Sequence, residues 1–128
     1  MKRRAAIRVA CVAFVFSVVV CAAQVRAQQY DLDKLLVGKW RQVVGPYVNT
    51  TFFTARHTYV LEQVQPGTPY KLYVEGTWEI RNSNQLWQKA GRRIPEATRL
   101  PEWQATVLQI IDANHLKNNQ GDVYRVPP

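Results

Sequence analysis

Hydrophobic and polar residues alternate with a period of two from residue 70 to residue 80. The face that we expect to be buried carries Tyr70, Leu72, Val74, Gly76, Trp78 and Ile80. The opposite face carries Lys71, Tyr73, Glu75, Thr77 and Glu79. This alternation predicts a β-strand with one side packed on a core and the other side in water. Gly76, in its middle, predicts a bend or a bulge.

Shorter segments of the same kind occupy most of the remaining chain, separated by residues that favour turns. The predicted strands are residues 39–44, 50–53, 58–64, 70–80, 85–89, 103–111, 115–117 and 122–126. A helical turn is predicted at 31–36, and the longest irregular segment at 91–101. About eight strands in hairpin succession predict an all-β, antiparallel up-and-down barrel, because closure removes exposed strand edges. A β-sandwich is the alternative.

The first 27 residues have a different pattern, with a basic start and an apolar centre. Lys2, Arg3 and Arg4 precede the apolar run Val9–Phe16, and Val25-Arg26-Ala27 resembles a cleavage site. These features predict a secretory signal peptide at 1–27 and a single mature domain at 28–128. The apolar run is shorter than the roughly 20 residues of a membrane-spanning helix, so we expect no transmembrane span after cleavage.

The signal predicts a periplasmic or secreted protein of a bacterium. Lipidation at Cys21 is an alternative, although Val20 is larger than the residue that usually precedes a lipidated cysteine. Both cysteines of the chain, Cys11 and Cys21, lie within the predicted signal. The mature domain would therefore have no disulfide and no thiolate site.

Removal of the signal also changes the charge. The whole chain carries a net charge of +8, whereas residues 28–128 carry 12 basic and 9 acidic residues, a net charge of +3. So small a charge is not typical of a nucleic-acid-binding domain. We therefore expect no nucleic-acid partner.

Gly38-Lys39-Trp40, which follows the predicted helical turn, and the later Gly76-Thr77-Trp78-Glu79-Ile80 resemble motifs of the lipocalin-like (calycin) barrels. The resemblance is to the short, secreted bacterial members. It implies that Gly38, Trp40 and Arg125 close one end of the barrel. Trp40 would lie at that end, and Arg125 would pack across its indole ring. A cation over an indole face is a stabilising contact. The chain lacks the disulfide and the C-terminal helix of typical lipocalins, which implies a smaller cavity.

No pattern of catalytic or metal-binding residues is present in the sequence. His57 and His115 lie at predicted turns, far apart along the chain. Glu75 and Glu79 are about 13 Å apart along one strand, too far to act as a carboxylate pair. No zinc-type spacing, phosphate-binding glycine loop or serine nucleophile motif occurs. We expect no enzymatic activity, no cofactor and no bound metal.

Large apolar side chains are the strongest candidates for a binding site: Tyr70, Leu72, Trp78, Trp87 and Trp103. The first hypothesis is that the barrel holds a small hydrophobic ligand among them. The alternative is a protein-binding module of the cell envelope or extracellular space, an inhibitor or an assembly partner, with a packed core. This module would expose Ile94, Leu100 and Trp103 to a partner. In the alternative, the aromatic residues only fill the core.

Overall fold

The computed structural model describes residues 30–128. Within them, Asp31–Pro128 form a compact unit. The predicted signal peptide and Cys21 lie outside the described residues. No helix in the described part of the chain is long and apolar enough to cross a membrane.

One helical turn precedes nine strands in this unit. The elements are α1 (Leu32–Leu35), β1 (Gly38–Val44), β2 (Tyr47–Phe53), β3 (Thr58–Val64), β4 (Lys71–Arg81), β5 (Gln85–Ile94), β6 (Gln104–Val107), β7 (Gln109–Asp112), β8 (His115–Asn118) and β9 (Gly121–Arg125). Their order in the sheet is β6-β5-β4-β3-β2-β1-β9-β8-β7, and neighbouring strands are antiparallel. The result is a nearly closed antiparallel β-barrel with one helical turn, as the sequence predicts.

The predicted sixth strand, 103–111, consists of two short strands that share Leu108 as their connection. β6 pairs with β5, whereas β7 pairs with β8 on the other side of the barrel. The Leu108 N–H donates to the Asn84 carbonyl at 2.8 Å, which extends the contact with β5. This one segment therefore connects the two edges of the sheet, because β6 is its first strand and β7 is its last. A recess of about 440 Å³ remains between β6 and β8, where the described strands do not pair.

The fifth strand extends five residues beyond the predicted end at Lys89, and the prediction that residues 91–94 are irregular is wrong. Gly91 is the extra residue of a β-bulge, because Gly76 pairs with Ala90 whereas Glu75 pairs with Arg92. The bulge occurs where Gly76 predicts one. A Cβ on Gly76 would lie 2.0 Å from the Lys89 carbonyl oxygen, so only glycine permits this close approach.

Hairpin turns alternate between the two ends of the barrel. The helix end contains α1 and the turns at residues 54–57, 82–84 and 113–114. The loop end contains the turns at residues 45–46, 65–70 and 119–120. The buried apolar core comprises Leu32, Leu36, Trp40, Phe53, Tyr59, Trp78, Leu86, Leu108 and Leu116. Most of these side chains come from α1 or from strand ends close to it, so the barrel is packed mainly at the helix end.

Trp40 and Arg125 form the centre of the packing at the helix end. The Trp40 side chain is 1% exposed, and its indole N–H donates to the Leu36 carbonyl at 2.9 Å. The guanidinium carbon of Arg125 lies 4.3 Å from the centre of the Trp40 ring. Gly38 has a φ of +129°, and a Cβ there would lie 2.7 Å from Nη1 of Arg125. Glycine at this position therefore gives the guanidinium room to lie over the ring.

The guanidinium of Arg125 also donates hydrogen bonds to three backbone carbonyls. Nη2 donates to Leu35 at 2.6 Å, Nη1 donates to Val37 at 3.1 Å, and Nε donates to Ala113 at 3.2 Å. These carbonyls belong to the last residue of α1, to the connection between α1 and β1, and to the turn after β7. One side chain thus joins three segments that meet at the helix end.

Candidate ligand-binding cavity

A partly open cavity of about 200 Å³ lies within the barrel. Apolar side chains form its floor toward the helix end: Leu36, Trp40, Phe53, Leu86, Leu108 and Leu116. Polar side chains form its wall toward the loop end: Gln42, Asn49, Thr51, Gln88, Thr106, Asn118 and Gln120. Leu61 and Val123 complete the lining. The interior is therefore amphipathic along the barrel axis.

The two-residue period of the strands produces this division. Five segments place an apolar side chain on the inner face and a polar one two residues closer to the loop end. These pairs are Trp40 with Gln42, Phe53 with Thr51, Leu86 with Gln88, Leu108 with Thr106, and Leu116 with Asn118. Asn49 extends the second pair by two more residues. Successive inward side chains of one strand lie at increasing depth along the barrel. The repeated spacing therefore gives the cavity an apolar half toward the helix end and a polar half toward the loop end.

Two pairs of amides connect strands across the polar half. Gln42 and Asn118 exchange hydrogen bonds, at 2.7 Å from Gln42 Nε2 and 3.2 Å from Asn118 Nδ2. Gln63 Nε2 donates to Asn49 Oδ1 at 2.9 Å. Gln42, which is 9% exposed, is thereby satisfied although it is buried. Buried polar groups that are fully hydrogen-bonded hold one defined arrangement, so these amides are fixed in place.

Other polar groups of the wall have no protein partner. In residues 30–128, no hydrogen bond involves the side-chain polar atoms of Thr51, Gln88 or Thr106. No occluded polar side-chain atom within that range lacks a partner. These three groups are therefore accessible from the cavity, and each can donate and accept a hydrogen bond.

The cavity contains no charge among the described residues that line it, since each is apolar, an amide or a hydroxyl. Two tyrosines that do not line the cavity have raised pKa values. Burial raises the pKa of Tyr59, which packs against Phe53 in the core. A hydrogen bond to the Glu75 carboxylate raises the pKa of Tyr73.

None of the five residues predicted to bind a ligand belongs to the cavity lining. Trp78 is 1% exposed and lies in the core, where its indole N–H donates to the Thr58 carbonyl at 3.0 Å. Leu72 is half-buried. Tyr70 precedes β4 at the loop end and is 39% exposed, so its role in ligand binding stays a prediction. Its hydroxyl donates to Gln63, the partner of Asn49, so Tyr70 reaches the cavity wall only indirectly.

Trp87 and Trp103 lie on the outer face of the barrel. Leu86 points inward, so its neighbour Trp87 points outward. The guanidinium of Arg81 lies 4.0 Å from the ring centre of Trp87 and 5.5 Å from that of Trp103. Glu79 accepts a hydrogen bond from the same guanidinium. A ligand role for these two tryptophans stays a prediction, and it would concern the outer surface.

Each histidine is paired with a carboxylate outside the cavity. His57 Nε2 lies 2.9 Å from Asp33 Oδ1, and His115 Nε2 lies 2.8 Å from Asp122 Oδ1. Both aspartates are about half exposed, so these are surface pairs rather than groups in a cleft. Within residues 30–128, no three His, Cys, Asp or Glu side chains are grouped as metal ligands would be.

The polar half of the cavity was not among the predicted site residues. Its sequence signal is a repeated apolar-x-polar spacing, whereas the predicted residues are large apolar ones. Comparison of the sequence with known proteins adds no known site. No protein-family model matches the chain, and no curated protein is significantly similar to it.

Proposed function

We propose that this protein is an exported, non-catalytic barrel of the lipocalin-like (calycin) kind that binds a small molecule in its interior. The observation that carries the proposal is the cavity of about 200 Å³, with an apolar floor and a polar wall. Small-molecule sites are typically concave and apolar with a few fixed polar groups. At about 200 Å³, this cavity is smaller than the roughly 300–1,000 Å³ of a drug-sized site, which favours a small ligand.

The calycin assignment is supported by four features in combination. A helical turn precedes Gly38-x-Trp40, the strands follow in hairpin succession, Trp40 is buried at the helix end, and Arg125 lies over its ring. Export to the periplasm or the medium is supported by the basic start, the apolar run and the cleavage site of residues 1–27. The absence of catalysis is proposed because both histidines pair at the surface, away from the cavity.

Native mass spectrometry of the protein purified from its own host tests the proposal. We expect a co-purifying small molecule that survives gentle ionisation and is released on unfolding. The Thr51→Phe variant places a ring inside the cavity and should abolish this extra mass. Thr50→Phe is the matched control, because Thr50 is the neighbour on the outer face and should retain the ligand.

Circular dichroism of both variants establishes that they are folded. A small molecule that remains bound to folded Thr51→Phe would place binding outside the cavity. Protein that is consistently empty would contradict a carrier function.

The alternative function is a protein-binding module, and one observation favours it. Ile94 is 46% exposed at the end of β5, whereas Leu100 and Trp103 are half-buried. Tryptophan is among the residue types that most often anchor a partner, and Trp103 is not fully buried. The same purification distinguishes the two functions. A co-purifying protein that is lost in Ile94→Asp, with no small molecule in the wild type, would support the module.

A further inference from the structure

We infer that the cavity selects an uncharged, amphiphilic ligand whose polar head both donates and accepts hydrogen bonds. The inference rests on the proposed function, and it assigns a chemical class to the ligand. It differs from the purely hydrophobic ligand that the sequence suggests. Three properties of the residues that line the cavity support it: their charge, their hydrogen bonding and their depth along the barrel.

The first step concerns charge. Among the described residues, the cavity lining contains no ionisable side chain. A charged head among these residues would lose part of its hydration and find no counterion, which makes its burial unfavourable. A carboxylate, phosphate or ammonium head is therefore disfavoured.

The second step concerns the polar groups without a protein partner. Within residues 30–128, the side chains of Thr51, Gln88 and Thr106 make no hydrogen bond, yet they face the cavity. A hydrocarbon placed against them would displace water and leave them unpaired, which is costly for a buried polar group. A head with a donor and an acceptor would satisfy them. A primary amide, a lactam or an alcohol has this property, and a hydrocarbon lacks it.

The third step concerns orientation and size. The floor of the cavity comprises Trp40 and five other apolar side chains, so the apolar part of the ligand lies toward the helix end. The polar head of the ligand then lies toward the loop end, beside the side-chain amides of Gln42 and Asn118, which hydrogen-bond to each other. About 200 Å³ equals the liquid volume of about seven water molecules. The ligand is therefore small, with about ten non-hydrogen atoms or fewer.

Titration with four six-carbon probes tests the inference. The probes are hexanamide, hexanoate, hexylammonium and n-hexane at aqueous saturation, each followed at neutral pH by the NMR shifts of cavity residues. We expect hexanamide to bind at least about tenfold more tightly than each of the others. One unsatisfied buried polar group accounts for a factor of that size.

Two variants connect the selectivity to the wall. Gln88→Leu removes one of the groups without a protein partner while it keeps a similar volume. It should weaken hexanamide about tenfold and leave hexane unchanged or tighter. Gln109→Leu is the control, because Gln109 is exposed on β7, next to the inward-pointing Leu108, and lies outside the cavity lining.

The outcomes separate this inference from the proposed function. Interior binding of hexanoate, hexylammonium or hexane with equal or higher affinity than hexanamide would overturn the ligand class and leave the carrier function standing. Unchanged hexanamide affinity in Gln88→Leu would also overturn it. If none of the four probes shifts a cavity residue, the proposed function fails and the ligand class fails with it.

Discussion

Replacement of the half-buried Arg125 by methionine should destabilise the barrel more than the same replacement of an exposed arginine. Methionine keeps most of the length and the contact with Trp40, but it removes the cation and the donors to three carbonyls. A cation–π contact contributes about 0.5–1 kcal/mol, and one charged hydrogen bond contributes about 1.5–3 kcal/mol. Water can replace part of the lost bonding at this half-buried position. We therefore expect a loss of about 3 kcal/mol in the free energy of unfolding.

Urea unfolding followed by tryptophan fluorescence measures this loss directly. For a domain of this size, a loss of about 3 kcal/mol also lowers Tm by about 15 °C. Arg41→Met is the matched control, because Arg41 is exposed on β1 and should change stability by less than about 0.5 kcal/mol. Arg125→Lys should fall between the two, since one ammonium cannot reach three carbonyls. If Arg125→Met and Arg41→Met unfold at the same urea concentration, the role assigned to Arg125 is refuted.

The remaining predictions concern the bulge, alkaline stability and export. Gly76→Ala should cost about 1–3 kcal/mol in urea unfolding, whereas Gly91→Ala should cost less, because its Cβ would make only ordinary contacts; equal losses would contradict the close approach. The contribution of Tyr59 to stability should be constant below pH 10 and should decrease as pH rises through its unfolded pKa near 10.0 toward its raised folded pKa. Tyr59→Phe should reduce that fall, and an unchanged pH profile would argue against it. N-terminal sequencing of the exported protein should begin at Gln28, and an intact N-terminus would exclude cleavage after Ala27.

The strands could be predicted because local signals determine them. The turn at Pro66–Pro69 contains Gly67 with a φ of +82°, and Asn82 in the turn before β5 has a φ of +54°. Residues that tolerate or preset such backbone angles mark these reversals in the sequence. The boundaries of β3 match the prediction at both ends, Thr58 and Val64.

The prediction failed where the pairing between strands decides the structure. Gly91 was predicted to begin an irregular segment, although β4 continues beside it and accommodates it as a bulge. The division at Leu108 arises because the first half of its segment meets β5 and the second half meets β8. A single strand contains no information about which partner it meets along its length.

The cavity could be predicted only in part for a related reason. Alternation in one strand shows which side chains point inward, but not how deep each lies along the barrel. That depth depends on the register, which pairs Trp40 with Thr51 and Gln42 with Asn49. Once the register is known, the apolar-x-polar spacing of five segments gives a floor and a wall. Trp78 and Trp87 were predicted to bind the ligand, yet Trp78 fills the core and Trp87 lies outside it.

The central claim is that a small ligand binds inside the barrel, with its head among the amides. Side-chain amide NMR spectra, recorded while hexanamide is added, test it most directly. We predict that the resonances of Gln42, Gln88 and Asn118 shift together with the indole N–H of Trp40, and that all four saturate at one common concentration. Shifts confined to the indole N–H of Trp87 and other groups of the outer face would contradict the claim.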